Sequence, residues 1–566
     1  MRRANFLTVV IVPSAILGLA LTSIGTCSAQ TESHSRQLSV WAPYGAQARA
    51  HFGPAARHLS SAWQNLFVLA VAMRQLEQMN PASVTSPPDI AAARAPMAAA
   101  ASYAAASRSP VSRPPTLGSS RFSYFTTNET STAWCGSNVV VGFNDTGSLT
   151  ETVSSEGASV IGYAHSTDAG VSYSDDGTPP PMSEPLSLLA GDPVLGCSNA
   201  SIFYYASLWN LCNTVSSGTC ISGTNGVSVA TSSNGGATFG PPVPAISKDI
   251  TTHMIDKDWM AVVAGNPDHL YVTYTDFDTS NPNDCGAGRK RVAIEMVTSA
   301  NDGQTWSSPV EIQKTCDGHT VVQGSQVVVG PSGEVWVAWE QADGATREID
   351  IAGSVNNGAS FNTPARVTSV HCAGDCFELQ GFIRSSESPS LAVNAKGKLL
   401  LVWNDGTKQV ADSLALLTSG GVSTSYGFTD VLFVTSVDGV NWTPPVRVND
   451  DPENGVSNPY TDQFEPALAV VPGHIVVCFY DRRNDPLNFL IDRYCAVSTN
   501  GGQTWINTQV TPHGFPSLIA QDYLLASDYM GDYDSVAVDA LKLNPGFIES
   551  FANNLPGHPA VKANRF

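Results

Sequence analysis

The fold class predicted by this sequence is all-β, a β-propeller of four-stranded blades, and three observations predict it. An eight-residue box, SANDGQTW at Ser299, returns as STDAGVSY at Ser166, SSNGGATF at Ser232, SVNNGASF at Ser354 and STNGGQTW at Ser498, with SVDGVNW at Ser436 one residue shorter. Apolar strand endings such as EPALAV to Val470 are each followed, after a Gly-containing turn, by a second strand ending in an aromatic and an acid, such as VVCFYD to Asp481. Equivalent points of the first strands fall at Glu129, Asp192, Lys257, Gly324, Ser388, Glu465 and Tyr533, at spacings of 63, 65, 67, 64, 77 and 68 residues. Four short strands per unit at such a period bury each sheet against its neighbours, which is the propeller solution.

Taken in order, the first element is residues 1–29. A basic MRR, an apolar run from Phe6 to about Ile24 and the small residues Ser28 and Ala29 predict a cleaved signal peptide and a secreted, extracytoplasmic chain. Cys27 lacks the leucine three residues back that a lipid-attached cysteine wants, so a lipoprotein is the lesser expectation. The ten remaining cysteines predict a disulfide framework whose connectivity the spacing does not give. The longest later apolar run, LFVLAVAM at Leu66, is shorter than the roughly 20 residues that cross a bilayer.

The second element is the segment 30–120, in which seven arginines face three acids. RHLSSAWQNLFVLAVAMRQLEQM, residues 57–79, reads as one helix capped at Ser60 or Ser61. An Ala/Pro/Ser-rich linker follows to Gly118. Because this segment is basic, the net charge of −20 belongs to the rest of the chain. A surface this acidic repels nucleic acid and anionic membranes.

The propeller is expected over 121–566. Seven inner strands give seven blades; six boxes leave six as the alternative count, and a seventh blade would be closed by RFSYFTT at Arg121. Within each box the third residue (Asp168, Asn234, Asn301, Asn356, Asp438, Asn500) accepts hydrogen bonds from amides of its own turn, and the glycine supplies a backbone angle that other residues resist. The aromatic at the box end has a large apolar body to bury. One acid per box is too few oxygens for calcium, so the box is a staple.

The boxes resemble the Asp-box, or BNR, repeats of sialidases and related propellers, and the resemblance runs from about Arg121 to the C-terminus. It implies a sialidase-like propeller whose boxes lie on the face away from the active site. The stretch FEPALAVVPGHIVVCFYDRRNDPLNFLIDRYCAVSTNGGQTW, from Phe464, is the best single match. Asp481 and Arg483 match the Asp-x-Arg of that family, Asp485 matches its acid/base aspartate, and Tyr533 stands where the nucleophilic tyrosine does. The opening Phe/Tyr-Arg-Ile-Pro is broken, since FEP puts Glu465 where the arginine should be. Arg384, with Arg482 and Arg483, is then an arginine at the mouth, and Arg289 and Arg291 lean in from an insertion. Sialidases hold the sialic-acid carboxylate with three arginines, whose planar guanidinium groups offer it paired donors; with the opening arginine missing, the triad the resemblance implies is incomplete.

Chemistry is expected where the loops before first strands and after second strands converge. Those positions are acidic: Glu129, Asp192, Asp256, Asp258, Glu387, Glu465 and Asp532 before, and Asp145, Asp276, Glu340, Asp405 and Asp481 after. Acids at strand ends also cap turns. Converging carboxylates raise one another's pKa or recruit a cation, and Asp192, Asp258, Glu387 and Asp532 are the candidates to hold Ca²⁺. Three functions stay open: a glycoside hydrolase acting on a glycan or glycoconjugate, a non-catalytic propeller that binds glycan or extracellular protein through Trp134, Trp209, Trp259 or Tyr480, and an extracellular scaffold whose Arg-rich N-terminal segment docks elsewhere. Phosphate-loop, HExxH, paired CxxC and nucleophile-elbow motifs are absent, which leaves nucleotide, zinc-peptidase and esterase chemistry without support.

Overall fold

A computed structural model describes residues 116–119 and, from 127 to the C-terminus, all but short segments, the longest being 149–156, 412–424, 453–459 and 517–529. The signal-like segment, the expected helix 57–79 and all of RFSYFTT but its last residue lie outside the described residues.

Seven blades are present, with inner strands Thr127–Cys135, Ser187–Cys197, His253–Val263, Val321–Val329, Ser390–Val393, Gln463–Val471 and Ser535–Ala537; each has a four-stranded antiparallel core, which in blade 2 is extended to six strands, Ala158–Ser159 joining its inner strand in parallel. Blade 7 takes its outermost strand from the other end of the chain, Thr116–Ser119 pairing with His558–Arg565. The closing strand therefore lies upstream of the Arg121 segment expected to supply it.

Inner strands share an irregularity that brings the site together. In blades 1, 3, 4 and 6 the register with the second strand slips once, and in blade 2 twice; at the slip stand the left-handed residues Glu129, Asp192, Lys257, Gly324 and Glu465, with φ between 49° and 67°, Asp192 being preceded by Gly191 at 125°. These are the positions aligned from sequence alone. A bulge re-aims its side chain, and holding a non-glycine residue in this conformation costs roughly 1–2 kcal/mol. At Gly324 a side chain would collide with Ser388 of blade 5, which is why this member of the ring has none.

The boxes form one repeated turn between third and fourth strands. In the Ser299 copy, the Ser299 hydroxyl donates to Asn301 Oδ1 (2.9 Å) and accepts from the Gly303 amide (3.0 Å), while Asn301 Oδ1 also accepts from the Thr305 amide (2.9 Å). The same Ser–Asx–Gly bonds hold at Asp168, Asn234, Asn356, Asp438 and Asn500. The box aromatics are half-buried at Trp306, Trp442 and Trp505 and fully buried at Phe239.

The box glycine does more than turn the chain. Gly502 (φ 88°) of blade 6 lies against Phe433 of blade 5, Gly439 of blade 5 against Trp336 of blade 4, Gly358 of blade 4 against Met296 of blade 3, and Gly236 of blade 2 against Val140 of blade 1. The box is thus a staple between blades as well as within one. Gly502→Ala should cost about 2–4 kcal/mol in urea unfolding, because the added methyl overlaps the Phe433 ring and the backbone is left-handed. Gly473→Ala, with a similar φ of 84° and open space around it, should cost about 1 kcal/mol.

Five disulfides pair all ten cysteines that follow Cys27: Cys135–Cys197, Cys212–Cys220, Cys285–Cys316, Cys372–Cys376 and Cys478–Cys495. The first ties the inner strands of blades 1 and 2 together. Among the described residues no helix is long and apolar enough to cross a membrane.

Candidate active site at the channel mouth

The left-handed bulges put Lys257 and Glu465 beside the segment Asp532-Tyr533-Asp534 that enters blade 7, around one cavity. Asp258, Trp259, Ser388 and Asn404 complete the walls used below. Asp532 is its electrostatic centre. Its Oδ2 accepts from Lys257 Nζ of blade 3 and from Arg384 Nη2, and its amide donates to Glu129 Oε1 of blade 1 (3.1 Å). Burial pushes the Asp532 carboxyl up, but the two cations outweigh it and hold the pKa down at about 2. Burial pulls Lys257 down, and Asp532 and Glu129 more than restore it.

Glu465 has the opposite character. It is 6% exposed, and its Oε1 has no hydrogen-bond partner. Burial first, then the charges of Asp534 and Asp532, push its carboxyl well above the usual range. Asp534 accepts from Thr130 Oγ1 (2.9 Å) and faces Arg493 at 3.4 Å.

Tyr533 donates its hydroxyl to the Pro193 carbonyl (3.1 Å) and meets the Trp259 ring edge-on at 5.5 Å. Burial, then the carboxylates of Glu129, Asp192 and Asp258, push its phenol well up. Trp259 is half-buried on the cavity wall, whereas Trp134, Trp209 and Tyr480, the other proposed platforms, are fully buried core.

The remaining sequence-derived site residues are not brought to this cavity. Asp481 and Arg483 pair with each other (Nε to Oδ2, 2.8 Å), and Arg483 also reaches Asp450 (2.5 Å) and lies over Tyr494. Burial raises Asp481 to about 6 against the pull of Arg483. Asp485 accepts from the amides of Leu490 (2.8 Å), Leu487 (3.0 Å) and Phe489 (3.0 Å). Burial pushes Asp485 up, yet those amides outweigh it and hold the carboxyl low, so it closes its own loop as an anion. Glu387 accepts from the Ala373 amide (2.6 Å) and faces Arg347 at 3.4 Å; burial, then Glu340, raise it to about 8.

The four carboxylates proposed for Ca²⁺ do not form a cage. Asp258 and Asp532 line the cavity, Asp192 does not, and Glu387 stands with Arg347. Among the described residues, ligand atoms of three His, Cys, Asp or Glu side chains gather within 4.8 Å only at His253–Asp276–Asp278 and at Cys478–Cys495–Glu549. The first already holds Lys248 (2.7 Å) and Arg291 (3.1 Å) on Asp276, and the second contains a disulfide. Neither set suits a calcium ion, which takes six to eight oxygens.

Among the described residues no arginine triad converges either. Arg384 is engaged by Asp532, Arg482 by Asp462 (3.3 Å), Arg483 by Asp481, and Arg291, rather than leaning in, by Asp276, Glu295 and Glu311. Sequence reasoning passed over Lys257 as a site residue. The signal was a single base at a ring position otherwise occupied by Glu, Asp, Gly, Ser and Tyr.

No protein-family profile and no curated protein matches this sequence. Solved structures similar to it include an ulvan lyase of polysaccharide lyase family 25 (10% identity, 80% of this chain and 96% of that one, TM-score 0.46). A protein of unknown function from Dyadobacter fermentans (15%, 66% and 94%, TM-score 0.39) and the sialidase of Trypanosoma rangeli (14%, 66% and 53%, TM-score 0.36) are also similar. All three likenesses are distant.

Proposed function

We propose that this chain is a secreted glycoside hydrolase acting on neutral glycans at the channel mouth. One observation carries the reading: a single cavity holds two buried carboxyl groups in opposite settings, Asp532 held low between the Lys257 and Arg384 cations and Glu465 pushed well up by burial with its Oε1 unpartnered. Pairs pushed apart in this way supply an acid and a base at one pH. Glu465 gives its proton to the leaving glycosidic oxygen, and Asp532 serves as the carboxylate that activates the attacking water. Trp259 and Tyr533 offer an apolar wall for a sugar face, and Ser388 and Asn404 offer hydroxyl-binding groups.

Neutral substrates are favoured because the mouth arginines are spent on internal carboxylates, leaving no converging guanidinium groups for a sugar acid. Secretion is supported by the five disulfides, which persist in oxidising compartments.

A panel of fluorogenic glycosides, sialoside included, tests the proposal. Turnover of a neutral glycoside is expected, with Tyr533→Phe keeping activity within about tenfold because the tyrosine is a wall and hydrogen-bond donor. Turnover of the sialoside alone, abolished in Tyr533→Phe, would replace this reading by the sialidase-like one with Tyr533 as nucleophile. Silence across the panel would leave a glycan- or protein-binding propeller.

A further inference from the structure

We propose that Arg384 is the positioning residue of the mouth, and that the inserted segment 372–384 serves to deliver it to Asp532. The inference rests on the reading of this cavity as a glycoside-cleaving site.

The segment joins the outer strand of blade 4, Ala365–Val370, to the inner strand of blade 5, Ser390–Val393. It carries a small two-stranded hairpin, Glu378–Leu379 with Ile383–Arg384, that belongs to no blade. Its anchoring is heavy for a connection. The Cys372–Cys376 disulfide closes its first turn, and Gly374 exchanges two backbone hydrogen bonds with Gly427 of blade 5 (2.9 and 2.7 Å). Arg347 of blade 4 donates to the Cys376 carbonyl (3.2 Å). The Gln380 amide donates to the Tyr426 hydroxyl (2.7 Å), and its side chain donates to the Leu487 carbonyl of blade 6 (2.8 Å).

Held by blades 4, 5 and 6, the hairpin ends at Arg384, whose guanidinium reaches Asp532 of blade 7, 148 residues further along. Lys257 arrives at the same carboxylate oxygen from blade 3, 275 residues away in sequence. Two cations on one oxygen fix both the charge and the direction of the carboxylate. Lys257 alone is a flexible point charge, whereas the planar guanidinium on a braced hairpin defines an angle. Arg384 therefore acts through Asp532 without touching the reacting atoms.

The test is a pH–rate profile of the wild-type chain and of Arg384→Gln, Arg384→Lys and the double variant Cys372→Ser, Cys376→Ser, on whichever glycoside the panel identifies. Arg384→Gln is expected to lower kcat about 10²-fold with little change in KM and to move the acid limb up by about one pH unit. Arg384→Lys should restore most of the limb position, and the disulfide variant should shift it in the same direction as Arg384→Gln. A lowered kcat with an unmoved limb, or no change in either, would overturn the proposal. The Asp532 carboxyl titration, followed by carbon NMR in wild type and Arg384→Gln, decides the point even without a substrate. A rise of about one unit supports the role given to Arg384; an unchanged titration overturns it. If the wild-type chain cleaves no glycoside, the reading of the cavity fails by itself, separately from that titration.

Discussion

Asp532→Asn is expected to destabilise the propeller by about 3–5 kcal/mol and to abolish turnover. Asp532 lies where blades 1, 3 and 7 and the Arg384 hairpin meet. With Asp532 3%, Lys257 9% and Arg384 11% exposed at the side chain, the ion pairs are largely buried. An amide is neutral, so two buried cations would lose their counter-charge together, and removing one partner of a buried pair costs far more than the pair contributes. The loss is checked by urea unfolding at pH 5. A cost below about 1 kcal/mol would mean that the cations find other carboxylates, and that the clasp across the channel does not organise the mouth.

Stability should be greatest in mild acid and fall as the pH rises to 8, the reverse of what salt-bridged aspartates produce. Glu387 is raised from 4.5 to about 8, Asp350 and Asp481 are raised from 3.8 to about 6, and Asp192, Asp258 and Glu465 are raised well above the usual range; in each, burial is the first cause. A carboxyl whose pKa is higher folded than unfolded contributes stability that is fully present below the unfolded value. That contribution is lost as the pH climbs through the folded value. Each unit of difference is worth about 1.4 kcal/mol. Asp532 has the opposite sign, its contribution being present above 3.8 and lost as the pH falls toward 2. Together these place the melting maximum at about pH 4–5. Calorimetry between pH 3 and 8 checks it, with Glu387→Gln expected to flatten the alkaline side. A melting temperature that rises from pH 5 to pH 8 would contradict the account.

The parts of this molecule legible in its sequence are those set by local pattern. The strand period located the inner strands, and aligning them located Glu129, Asp192, Lys257, Gly324 and Glu465, five inner-strand residues whose backbone is left-handed. Box chemistry was legible because Ser, Asx and Gly within five residues satisfy one another. The pairing of charges was not legible. Asp481 and Arg483 match a family pattern, yet side chains two residues apart at a strand end reached each other first. The partners of Asp532 lie 148 and 275 residues away, and no local signal selects one arginine among the several near the mouth. For the aromatics, burial decided: Trp134 and Tyr480 share Trp259's residue class, and only its half-buried position on the cavity wall separates it.

The central claim, that Glu465 is the proton donor of a glycoside-cleaving site, is tested most directly by Glu465→Gln on two substrates that share a sugar and differ in leaving group. A good leaving group needs little protonation, and general acid catalysis contributes typically 10²–10⁴-fold. The account predicts a loss of about 10³-fold on an alkyl glycoside and about tenfold or less on an activated aryl glycoside. An equal loss on both substrates, or none on either, would contradict it.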